Sequence, residues 1–167
     1  MNSSSNGKLN LIPSLVNGFL PSGIHECSLD EIEAVFAQSN PSPRRPELWA
    51  KFVNYVNWIR PMGFFQQIYV DGSFTTDKHD PGDIDVVLQI PQPSVQLQAR
   101  MQANPEIPKA WDVSYAKTVF EIHPFLWYQG LPPDQSFIEF FQGIRPEEAR
   151  RLNLPVNTCK GILKVKI

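Results

Sequence analysis

Apolar residues fall at helical spacing in two stretches of this chain. Leu48, Trp49, Phe52, Val53, Val56 and Ile59 recur at intervals of three and four, and the stripe is bounded by Asn40-Pro41-Ser42-Pro43-Arg44-Arg45-Pro46 and Pro61-Met62-Gly63. Leu29, Ile32, Val35 and Phe36 repeat the rhythm over a shorter helix to about Gln38, opened by a capping-box pair, Ser28 and Glu31. The period then shortens. Ile68-Tyr69-Val70-Asp71 and Ile84 to Ile90 read as strands, with Pro91 and Pro93 ending the second and Ser94 capping a helix through Ala103. Lys117 to His123 alternates as a third strand, with Phe120 and Ile122 on one face, Glu121 and His123 on the other, and Pro124 as its stop. A helix from about Ser136 to Gln142 follows, then one with Pro146 in its first turn, and Gly161 to Ile167 alternates apolar and basic residues as a half-exposed closing strand. The order predicts an α/β (α+β) fold, a small mixed β-sheet flanked by helices. Residues 20–167 form a single domain, and the Ser/Asn/Gly-rich start predicts a flexible arm over 1–19.

Composition narrows the class. A chain of 167 residues with 42% hydrophobic and 19% charged residues can bury one sizeable core. The net charge of -2 does not describe a dedicated nucleic-acid binder, although Arg145, Arg150, Arg151, Lys160, Lys164 and Lys166 can form a local basic face. Cys27 and Cys159 lie far apart and read as reduced thiols. With neither a signal-peptide pattern nor an 18-residue apolar run, the expected location is cytoplasmic, with no membrane partner.

The chemistry concentrates where the first strand pair meets its loop. Side chains alternate along a strand, so Asp83 and Asp85 share one face while Ile84 and Val86 enter the core. Paired acids among apolar neighbours call for a cation, and oxygen ligands favour Mg²⁺ or Mn²⁺. A solvated strand face is the plainer alternative, and the apolar flanks oppose it. A calcium loop counted from Asp77 fails, because its twelfth position is Leu88. Zinc is disfavoured by the lack of clustered His and Cys; His79 and His123 read as structural or exposed, and Lys78 as a solvated loop residue. Upstream, Gly72 permits close backbone approach to phosphates and Ser73 offers hydroxyl and amide donors. Were Glu121 to converge with Asp83 and Asp85, the three would hold two ions, and those could bridge a triphosphate and an attacking oxygen.

Gly72-Ser73 followed by Asp83-Ile84-Asp85-Val86, with an isolated acid at Glu121, resembles the nucleotidyltransferase superfamily related to DNA polymerase beta. The chain is similar to its small single-domain bacterial and phage members, many tied to toxin-antitoxin or phage-defence systems. The segments Leu20 to His25, Asp71-Gly72-Ser73-Phe74 through Asp85, and Lys160-Gly161-Ile162 also resemble a poorly characterised family of such domains, so the likeness runs from Leu20 to Ile167. The resemblance implies an NTP substrate such as ATP, nucleotide contacts at Gly72 and Ser73, metal ligands at Asp83 and Asp85, and a catalytic third acid that is usually Asp and here is Glu121.

Two functions follow. One is a metal-dependent nucleotidyltransferase that moves a nucleotide from an NTP to an RNA (tRNA) end or to a partner-protein hydroxyl. The other is a catalytically weak or inactive subunit of the same fold that binds an operon-encoded partner in a defence or toxin-antitoxin system.

Overall fold

In the computed structural model, which describes residues 12–132 and 137–167, the capping box forms as its spacing predicts. Ser28 Oγ accepts from the Glu31 N–H at 3.3 Å, and the Glu31 carboxylate accepts from the Ser28 N–H at 2.8 Å. This starts α1 (Leu29–Ile32), which widens into a π-helical turn over Glu33–Gln38. The long stripe becomes α2 (Arg44–Ile59), burying Leu48, Trp49, Phe52, Tyr55, Val56 and Ile59.

The two central strands are β2 (Gln67–Asp71) and β3 (Ile84–Ile90), paired antiparallel with Asp71 opposite Asp85. Ser94 accepts from the Leu97 N–H at 3.0 Å to start α3 (Val95–Ala103). A short α4 (Glu106–Lys109) follows within the expected Pro-rich break.

The predicted strand over Lys117 to His123 is corrected. Asp112 caps a helix, α5 (Val113–Phe120), by accepting from the Tyr115 N–H at 2.7 Å. Ala116 and Phe120 stand one turn apart on it, and the Phe120 ring packs on Trp58 and Tyr55 of α2 at 5.3 and 5.4 Å. A segment whose few alternating positions also satisfy helical spacing goes where its rings find partners. Glu121 ends the helix with φ 55°. The strand β4 (Ile122–Tyr128) begins after it and runs through Pro124, which does not stop it. At the sheet edge a residue without an N–H leaves no ladder bond unmade on the open side.

A short α6 (Phe137–Gln142) and α7 (Pro146–Arg151) precede β5 (Gly161–Lys166). Ser136, expected at the start of that first helix, lies outside the described residues. The expectation of a half-exposed closing strand is also corrected: β5 lies inside the sheet, and Ile162, Leu163 and Val165 are buried. Its second neighbour is β1 (Gly23–Glu26), paired in parallel, a strand of four residues too short to announce itself. The sheet order is β1-β5-β2-β3-β4, a five-stranded mixed sheet with helices around it, an α+β fold.

One sheet face, with Ile68, Val70, Ile84, Val86, Leu88, Leu163 and Val165, joins α2 and α5 in the main core. The other carries Tyr69, Val87 and Ile162 and is packed by Ile138 and Phe141 of α6. Part of the expected arm is packed as well. Ile12 is buried, and the Asp77 N–H donates to the Gly18 carbonyl at 3.1 Å; the remainder, residues 1–11, lies outside the description. Among the described residues no helix is long and apolar enough to cross a membrane.

Candidate functional site

Sheet register brings the chemistry together at one end of the second face. Asp71 of β2 pairs with Asp85 of β3, and Asp85 pairs with His123 of β4, so three polar side chains form a row across neighbouring strands. Asp83 precedes β3 by one residue and projects to the same side as Asp85. Ligand atoms of Asp83, Asp85 and His123 all lie within 4.8 Å of one another. His123 Nδ1 sits 3.2 Å from Asp85 Oδ1, and Lys117 Nζ lies 3.3 Å from Asp83 Oδ2. Burial and then the neighbouring Asp83 charge push the Asp85 carboxyl above the usual carboxylate range, against the pull of His123, Lys117 and Lys160.

Gly72 lies directly against this group. Its φ is +83°, and a β-carbon added there would stand 2.0 Å from Asp85 Oδ2. Both the backbone conformation and the space require glycine. Ser73 opens the following 3₁₀ turn, Ser73–Thr75, and its carbonyl accepts from Thr76 Oγ1 at 2.8 Å. We expect Gly72→Ala to cost about 1–3 kcal/mol of stability, because it combines backbone strain with a displaced carboxylate. Urea unfolding of the two proteins measures this; equal midpoints would show that Asp85 has no fixed place over the turn.

Glu121 does not join Asp83 and Asp85. Its Oε2 is 2.9 Å from both Arg44 Nη2 and Lys51 Nζ of α2, so the acid expected as third ligand is neutralised by two cations. It sits at the left-handed end of the helix, before β4 begins, and not on the strand from which convergence was expected. His123 occupies the third position instead. Two carboxylates and an imidazole within one ion's reach are a fitting donor set for a single divalent cation, with the imidazole tilting preference from Mg²⁺ toward Mn²⁺.

Behind the turn lies a buried ion pair. Lys160 Nζ, just before β5, donates to Asp71 Oδ1 and Oδ2 at 2.5 and 2.6 Å, and Thr75 Oγ1 donates to Oδ1 at 3.3 Å. Burial nevertheless pushes the Asp71 carboxyl up to about 6, with Lys160 pulling the other way. The loop after the turn is held by Arg45, whose side chain is buried on α2 and donates to the carbonyls of Phe36, Phe74, Thr76 and Lys78 at 2.5 to 3.2 Å.

A family model covers residues 13–166. The chain belongs to DUF6932, a family of unknown function. No curated protein and no solved structure matches it. The DUF6932 match ends at Lys166, the last residue of β5, and so takes in every element that builds the site. Three residues of the candidate site in this DUF6932 chain are not singled out by its sequence: His123, Asp71 and Lys160. The first two stand on either side of Asp85 only through strand register, which no local pattern reports. Asp71 did carry a signal, being an acid that ends an otherwise apolar strand.

Proposed function

We propose that this DUF6932 protein is a metal-dependent nucleotidyltransferase that transfers a nucleotide from an NTP to an acceptor hydroxyl, which loses its proton as the bond to the α-phosphate forms and pyrophosphate leaves. One observation carries the proposal: the Asp85 carboxylate rests on the Cα of Gly72, so a turn suited to phosphate and a donor set suited to a divalent cation share one surface. Asp83, Asp85 and His123 would hold Mg²⁺ or Mn²⁺, which when bound neutralises phosphate charge and polarises the reacting oxygens. Gly72 makes room for the Asp85 carboxylate against the turn, and Ser73 supplies donors to the triphosphate oxygens. The buried Asp71–Lys160 pair and the Arg45 carbonyl contacts fix the turn before substrate arrives, so little ordering is left for the binding step. With Glu121 engaged by Arg44 and Lys51, Asp83, Asp85 and His123 are, among the described residues, the groups that can share one ion. A protein hydroxyl suits the chain's charge of -2 better than tRNA, which demands extensive phosphate neutralisation.

The engagement of Glu121 also favours a second reading, a subunit that binds nucleotide without transferring it. Incubating the protein with each labelled NTP, Mg²⁺ or Mn²⁺, and either total RNA or the product of the neighbouring gene separates the two. Label on an acceptor that disappears with a chelator is the expected result. NTP retention without transfer would favour the second reading, and neither retention nor transfer would sink both.

A further inference from the structure

The ring of His123 leads from the metal donors into a line of aromatic side chains. Its centroid is 4.4 Å from that of Phe125, two residues along β4 on the same face, and Phe125 lies 4.9 Å from Phe137 and 4.8 Å from Phe141 of α6. Phe141 is buried and fastens the helix to the sheet, whereas Phe137 remains 40% exposed. A large apolar ring left in water beside a polar centre has a face to offer, and base-on-ring stacking is a general use of such a face.

We infer that Phe137, backed by Phe125, is the stacking platform for the nucleobase of the bound NTP. The inference rests on the nucleotidyltransferase reading and names the part of the substrate that the phosphate turn and the metal donors cannot recognise. Continuity argues for this occupant. His123 belongs both to the donor set and to the aromatic line, so a ligand with charged phosphates at one end and a flat ring at the other matches the sequence of surfaces from Gly72, past Asp85 and His123, to Phe137. Stacking on a ring face is tolerant of base identity, so the platform should accept all four bases with modest preference.

Equilibrium binding with Mg²⁺ or Mn²⁺ tests this on wild type, Phe137→Ala and Phe137→Trp, using each of the four NTPs and inorganic tripolyphosphate as probes. Wild type is expected to bind NTPs more tightly than tripolyphosphate. Phe137→Ala should weaken NTP binding by about tenfold, within the range for one base stack, and leave tripolyphosphate binding unchanged; Phe137→Trp should restore NTP affinity. Equal affinity of wild type for tripolyphosphate and NTPs, or an equal loss for both probes in Phe137→Ala, overturns the platform while leaving the phosphate and metal site standing. Binding of neither probe by wild type overturns both.

Discussion

Asp85→Asn should lower nucleotidyl transfer by a factor on the order of 10³ while leaving the melting temperature unchanged or raised. The two effects have one origin. Asp85 is half-buried near the start of β3, beside Asp83, and both conditions penalise its charged form. A carboxyl whose folded pKa is raised costs stability as the pH climbs through that value, so at neutral pH its ionised form is a burden on the fold. Asparagine keeps the shape and cannot ionise. It relieves the burden and discards the charge that a divalent cation needs. Differential scanning fluorimetry, paired with Mn²⁺ titration and the transfer assay, reads both sides. A drop of several degrees with metal binding intact would mean that Asp85 is a structural residue and that the site lies elsewhere.

The largest stability effect should come from Lys160→Met. Removing one partner of a buried ion pair costs about 3–5 kcal/mol, because the remaining charge is left without compensation. Here that charge is Asp71, almost wholly inaccessible and already raised to about 6 with its lysine in place. Since the shift is upward from 3.8, Asp71 costs stability as pH rises through this window, and the cost is absent below about 4. Without Lys160 the shift grows, so the variant should gain more stability than wild type when urea unfolding is moved from pH 7.5 to pH 5. Adding Asp71→Asn should recover most of the loss at pH 7.5. A single variant as stable as wild type, or a double variant no better than the single, would remove the pair from the account of how the Gly72-Ser73 turn is held.

Legibility in the sequence followed the range of the interactions. The capping box at Ser28, the Ser94 cap, the stripe of α2 and the strands β2 and β3 are set by neighbours within a few residues, and they lie where their patterns put them. The placement of Gly72 and Ser73 on a turn and of Asp83 and Asp85 on one side of a strand is legible for the same reason, since a turn and an alternating strand are local objects. What failed was anything decided across the sheet. The helical place of Phe120 is set by the rings of Trp58 and Tyr55, more than sixty positions away, which do not show in its own segment. Alternation puts Glu121 and His123 on one face and cannot separate them; the left-handed residue at the end of α5 leaves Glu121 before the strand, and register sets His123 beside Asp85. The lysine that neutralises Asp71 is separated from it by 89 residues.

The position of β5 has a consequence for the order of assembly. β1 has no other strand partner among the described residues, and β2 lacks one neighbour until β5 arrives, so the sheet cannot close until nearly all of the matched region has left the ribosome. Lys160 travels with that strand. A nascent chain carrying both aspartates of the motif would therefore hold the ingredients of the site without its support, and any activity would begin as a single late event rather than build up during synthesis.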